Sequence, residues 1–236
     1  MSELSQNLRW HPCPDQGALQ EAARDFILAA AGSAIAGRDE FHLVLAGGNT
    51  PRAIYASLCS APTDWSKWHV YFGDERCLPA DDAGRNSRMA GAAWLDRVPI
   101  PAAQVHAIPG ELGAAAAAEA CARALAAVGD FDLVLLGLGE DGHTASLFPG
   151  KAWGEREGSP DALAIHDAPK PPPERVSLSA ARLSRTRAML FIVSGEEKRA
   201  AVDAWRAGAR LPVSVLRGAT PIEVLVEARL LPQGAG

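Results

Sequence analysis

His143 stands two residues after Asp141 in the run Gly137-Leu138-Gly139-Glu140-Asp141-Gly142-His143-Thr144. An imidazole beside a carboxylate suits acid–base chemistry, because the acceptor fixes which ring nitrogen carries the proton. Three other polar clusters could serve the same chemistry. Asp74-Glu75-Arg76 supplies two carboxylates and a guanidinium, and Ser194-Gly195-Glu196-Glu197-Lys198 supplies an ammonium. Gly47-Gly48-Asn49-Thr50-Pro51 offers a backbone cradle. Its two glycines let a ligand approach the main chain. Thr50 takes the place of a helix N-cap and Pro51 that of the first helical residue. The free N–H groups of such a helix start, with its dipole, suit a phosphate. Ser194 and Glu197 have the spacing of a capping box, which puts Lys198 in a first helical turn where it can meet a phosphate as a point charge.

Several chemistries are excluded by what is missing. The Gly-Gly loop lacks the Gly-Lys-Ser/Thr ending of a nucleotide loop. Residues 137–142 match G-x-G-x-x-G, but Glu140 and Asp141 would repel a pyrophosphate and Pro149 stops any long crossover helix. No G-x-S-x-G elbow and no H-E-x-x-H pair occurs. Cysteines 13, 59, 77 and 121 form no C-x-x-C pair and read as reduced thiols. No metal or cofactor is therefore expected. His42 and His69 fall in or beside apolar runs and read as packed or edge residues. A net charge of -5 shows no basic excess for nucleic acid. No apolar stretch reaches membrane length, and the N-terminal stretch has no apolar core, so a cytoplasmic protein with no membrane contact is expected. No obligate protein partner is evident.

The elements that must position these clusters are legible from apolar periodicity. Helices are expected over residues 15–36, 51–59, near 85–95, over 119–128 with a start as early as 111, and over 196–207. Buried strands are expected over 41–46, 68–72, 131–136, 176–179, 188–193 and 222–226, with a short one over 105–108. Residues 149–173, rich in Pro and Gly, are expected to form a long irregular loop. This alternation implies a single α/β domain over residues 1–236, a mostly parallel Rossmann-like sheet flanked by helices on both faces. In such a sheet the ends of strands 41–46, 68–72, 131–136 and 188–193 share one edge, where ligands bind. All four polar clusters follow those ends.

Taken together, the segments AGGNTPRAIY, WHVYFGDERCLP with the later RNS, LGLGEDGHTASLFPG, PPPERVSLS and SGEEKR resemble the 6-phosphogluconolactonases of the pentose phosphate pathway. The resemblance runs from about residue 41 to 226, and GEDGHTASLFP is its most specific part. Glucosamine-6-phosphate deaminases share the fold and several motifs. Their histidine loop continues with Asn-Glu-Pro, where this chain has Leu147-Phe148-Pro149, and they usually carry Tyr where Arg76 stands. A deaminase-like enzyme and a non-catalytic sugar-phosphate sensor remain the alternatives. The sensor would need a DNA-binding module, and only one helix precedes the first expected strand. Glu227 departs from the lactonase pattern, which has Asp there.

The resemblance implies a phosphosugar δ-lactone as substrate and water as the attacking group. His143 is then the expected base, with Asp141, Glu140 or Asp74 fixing its tautomer. Arg76 and Lys198 are expected to hold the phosphate, helped by the backbone of Gly47, Gly48, Asn49 and Thr50. Arg175 is a further candidate for contact with the sugar or the phosphate.

Overall fold

The computed structural model describes residues 6–232. The first five residues of the N-terminal stretch, and the last four of the chain, lie outside the described residues. In chain order the elements are β1 (Leu8–Cys13), α1 (Gln16–Arg38), β2 (Phe41–Leu45), α2 (Asn49–Leu58), β3 (Trp68–Phe72), β4 (Asp74–Arg76), α3 (Asn86–Ala93) and β5 (Val105–His106). They continue with α4 (Ala114–Leu125), β6 (Phe131–Gly137), β7 (Ala162–Ile165), β8 (Arg175–Leu178), α5 (Ala180–Ser184), β9 (Thr186–Val193), α6 (Arg199–Arg206) and β10 (Ile222–Glu227).

Seven strands form one sheet in the order β1-β10-β9-β6-β2-β3-β5. Every pairing in it is parallel. The centre of the sheet is apolar for a physical reason: a parallel strand covered on both faces has no solvent side. Thus six consecutive residues of β6, from Phe131 to Leu136, are buried. Helix α1 lies along β2, β6 and β10, with α2 against it. Asp15 caps α1 by accepting from the Ala18 N–H at 2.9 Å, and Asp39 ends the helix in the left-handed region at φ 64°. Phe41, Trp65, Trp68 and Trp94 form a chain of edge-on and tilted ring contacts beside it. Cysteines 13, 59, 77 and 121 are free thiols. No helix among the described residues is long and apolar enough to cross a membrane.

A second sheet, β4-β8-β7, corrects the expected pattern. Its pairings are antiparallel, so the strand at 175–178 leaves the parallel series instead of continuing it. Strand β7 lies inside the stretch expected to be irregular. Gly73 joins the two sheets: its N–H donates to Leu45 O at 3.0 Å and its carbonyl accepts from Leu178 N at 2.8 Å. Helix α4 packs on β7 and β8. It runs from 114 to 125, earlier than the 119–128 core of the expected helix.

Two expected caps are also corrected. Helix α2 begins at Asn49, capped by Gly48 at φ 113°, a conformation that favours glycine. Thr50 therefore lies inside the helix, and its hydroxyl accepts from Gln16 Nε2 at 3.4 Å. Ser194 caps nothing, because its hydroxyl donates to Glu227 Oε1 at 2.5 Å, and the turn over 196–198 has Gly195 as its cap.

Candidate active site

The ends of β2, β3, β6 and β9 meet at one cavity of about 190 Å³. Gly47 and Gly48 form one wall after β2. Gly47 has no room for a side chain, since a Cβ there would stand 2.3 Å from Asn86 Oδ1. The start of α2 leaves the N–H groups of Asn49 and Thr50 without intrahelical acceptors. Neither side chain lines the cavity.

His143 also lines the cavity. Its loop closes on itself, with Gly139 N donating to His143 O at 2.7 Å and Gly142 N to Gly139 O at 3.0 Å. Asp141 Oδ1 lies 2.5 Å from His143 Nδ1 and accepts the His143 backbone N–H at 3.1 Å. With Nδ1 engaged, Nε2 is the ring nitrogen left for a ligand; it has no hydrogen bond among the described residues. Burial acts to raise the Asp141 carboxyl, but the hydrogen bonds and charge of His143 outweigh it and hold the carboxyl below its usual range. The three candidate carboxylates differ in what they contact. Glu140 pairs with Lys170 Nζ at 3.1 Å. Asp74, buried, accepts from Asn86 Nδ2 at 2.9 Å and from Ser146 Oγ at 2.6 Å. Among the described residues, Asp141 alone of the three bonds the imidazole.

Strand β4 carries Asp74 and Arg76 to the cavity and turns Glu75 away from it. Fully buried Glu75 accepts the N–H groups of Arg76, Asn86 and Ser87 at 2.9, 2.7 and 2.8 Å, holding the start of α3 against β4. Arg76 donates through Nη1 to Gly84 O, while its Nε is buried with no partner. Arg175 on β8 is its direct neighbour across the ladder. Three carbonyls fix the Arg175 head: Nε donates to Pro172 O at 3.1 Å, and Nη2 to Lys170 O at 2.9 Å and Pro171 O at 3.3 Å. Burial pushes the Arg175 guanidinium down, Asp74 pushes it up and Arg76 pushes it down, with a net lowering. A guanidinium remains charged under such a shift. Lys198 lines the same cavity from beyond β9, with its nearest carboxylate, Glu197, at 3.8 Å. Its turn is anchored by Glu227, whose Oε1 accepts from Ser194 Oγ and from Gly195 N at 2.9 Å.

The cavity thus gathers His143, Asp74, Arg76, Arg175, Lys198, Gly47 and Gly48 from the expected set. Three polar residues were not singled out by sequence: Asn86, Ser146 and Thr144. Thr144 is among the lining residues, is 1% exposed, and its buried hydroxyl has no partner among the described residues. Ala145, at φ 47°, makes the turn that separates Thr144 from Ser146. The signal for all three lay in the quoted segments RNS and GHTASLFP, though nothing local distinguished their side chains from ordinary loop hydroxyls and amides.

The family described as "Glucosamine-6-phosphate isomerases/6-phosphogluconolactonase" matches residues 14–225. The chain belongs to this family. Within it, a 6-phosphogluconolactonase of Mycobacterium tuberculosis is 41% identical over 216 residues, 86% of this chain and 87% of the relative. One from Streptomyces coelicolor is 36% identical over 225 residues, 86% of each chain. Among solved structures, the 6-phosphogluconolactonase of Thermotoga maritima superposes with a TM-score of 0.84 at 26% identity, covering 94% of this chain and 99% of its own. The Trypanosoma brucei enzyme gives 0.80 at 28% identity, covering 98% and 99%. A monomeric glucosamine-6-phosphate deaminase also gives a TM-score of 0.80, but at 19% identity the likeness is one of fold alone.

Proposed function

We propose that this protein hydrolyses 6-phospho-D-glucono-1,5-lactone to 6-phosphogluconate, the second step of the oxidative pentose phosphate pathway. The observation that carries the reading is one cavity lined both by a carboxylate-held imidazole and by three cations, Arg76, Arg175 and Lys198. That arrangement fits a molecule with a phosphate at one end and an ester carbonyl at the other. The phosphosugar lactone is thus the small-molecule partner, and the cytoplasm is the compartment this reading assigns.

In this reading the cations and the N–H groups of Asn49 and Thr50 hold the phosphate, and its binding energy orients the ring. His143 Nε2 takes a proton from water as the water oxygen attacks the lactone carbonyl. The tetrahedral intermediate collapses with cleavage of the bond to the ring oxygen, and the imidazolium returns its proton to that oxygen. The Asp141 carboxylate stabilises the imidazolium between the two transfers. In this reading the unpartnered Thr144 hydroxyl bonds the bound sugar. The water supplies hydroxyl to the carbonyl carbon and hydrogen to the leaving oxygen, so the atoms balance.

A lactone-hydrolysis assay that subtracts the spontaneous reaction tests the proposal. Turnover above background, with no ammonia released from glucosamine-6-phosphate, is the expected result. Ammonia release without lactone hydrolysis would transfer the protein to the deaminase branch.

A further inference from the structure

At the other end of β2 and β3 lies a second group of metal-capable side chains. Glu40, just before β2, and His42 are two apart, so they project to the same side of the extended chain. His42 pairs in register with His69 on β3. The two rings stack at 4.7 Å with an interplanar angle of 7°. We propose that Glu40, His42 and His69 form a binding site for a zinc-class divalent transition metal on the sheet rim opposite the cavity.

The donor atoms are close enough to share an ion once the His69 ring turns out of its stack on His42, because an imidazole binds an ion in its own plane and parallel planes do not meet. One ligand atom from each residue lies within 4.8 Å of the other two. His42 Nε2 stands 3.3 Å from Glu40 Oε2. Two ligands at zinc bond lengths on a tetrahedral ion stand about 3.4 Å apart. His42 Nδ1 is 3.1 Å from the Tyr71 hydroxyl. A ligating histidine engages its second nitrogen in this way, which orients the ring and directs Nε2 at the ion. Two imidazoles and one carboxylate are a donor set that zinc and its neighbours accept. Glu40 is half exposed, so an ion reaches the site from solvent and water completes the fourth position. The five residues of β2 put this rim roughly 17 Å from Gly47, too far to share an ion with His143. An ion here would clamp β2 to β3 and stabilise the fold in proportion to its concentration.

Cobalt(II), a coloured stand-in for zinc, tests the site in the full-length protein. Titration is expected to give the intense visible absorption of a low-symmetry nitrogen–oxygen site, and zinc is expected to displace it and raise the unfolding midpoint. Glu40→Gln, at an exposed position, is expected to weaken cobalt at least about tenfold with lactone turnover unchanged. His69→Ala is expected to abolish the signal, and His143→Ala to keep it. Absence of cobalt or zinc binding overturns the proposal. So does a signal lost in His143→Ala but kept in Glu40→Gln, which would place the metal in the cavity. Failure of the lactonase assay leaves this test untouched.

Discussion

Arg76 and Arg175 face each other directly across the antiparallel ladder of the small sheet. Like charges in that position destabilise a ladder. Among the described residues neither guanidinium forms an ion pair with a carboxylate, and Arg76 Nε is buried with its hydrogen uncommitted. A dianion between them resolves both costs. Arg76→Ala and Arg175→Ala are each expected to raise KM about 10- to 100-fold, the equivalent of roughly 1.5–3 kcal/mol for a charged hydrogen bond, with a smaller effect on kcat. Inorganic phosphate is expected to raise the unfolding midpoint of the parent protein and not of Arg76→Ala. Steady-state kinetics with unchanged KM in both variants would remove the pair from phosphate binding.

The Asp141–His143 contact predicts a different kinetic signature. Asp141→Asn keeps the shape of the side chain but removes the negative charge beside the imidazolium. kcat is expected to fall about 100-fold or more, as for loss of acid–base assistance, with KM little changed. His143→Ala is expected to fall at least as far while its circular dichroism stays that of the parent. Near-parent turnover in either variant contradicts the assigned role.

Gly139 offers a test that touches neither partner. A Cβ at this position would stand 2.0 Å from His143 Nδ1. Gly139→Ala is therefore expected to push the ring off Asp141 and reduce kcat by about the same factor as Asp141→Asn, with the protein still folded. Coordinates of the variant showing the imidazole in place would refute this reading of the loop.

Glu227 sits at the end of β10, is 4% exposed, and holds Ser194, Gly195 and Arg229 at once. Burial acts to raise its carboxyl, but the bonds from Arg229, Ser194 and Gly195 prevail and hold it below the usual glutamate range. A carboxyl depressed in the folded state adds stability above its ordinary pKa and loses it as pH falls through the folded value. Glu227→Gln is expected to be less stable than the parent at neutral pH by about 1–3 kcal/mol. That gap should close as pH drops below the glutamate range. Denaturant unfolding at a series of pH values reads it directly, and a gap independent of pH would count against the ionised pairing. Because the Ser194–Gly195 turn leads to Lys198, KM is expected to rise more than kcat falls.

What the sequence disclosed follows from how locally each feature is determined. The runs at 41–45, 68–72 and 131–137 show themselves because strands covered on both faces are mostly apolar, interrupted here by His42, His69 and Asp132 near their starts. The shared edge for His143, Arg76 and Lys198 followed from parallel order alone. Strand β4 is only Asp74-Glu75-Arg76, with no apolar alternation, and its place is set by pairing with a segment a hundred residues later. Strand β7 is short and lies among glycines and prolines. Ser194 has the local pattern of a cap, but a partner 33 residues away takes its hydroxyl. Asp141 was separable from Asp74 only once Asn86 and Ser146 were seen to occupy the latter.

The outermost strand has a consequence for how the chain is made. Among the described residues, 8–13 pair in the sheet with 222–227 alone, a segment synthesised about two hundred residues later. Trp10 also stacks edge-on against Trp205, another late arrival. At roughly 5–20 residues per second, ribosomes leave this segment without its berth for about 10–40 seconds. Nascent chains stalled before residue 222 are expected to be nicked by protease within residues 8–13. Protection of that stretch in stalled chains would mean it docks elsewhere first.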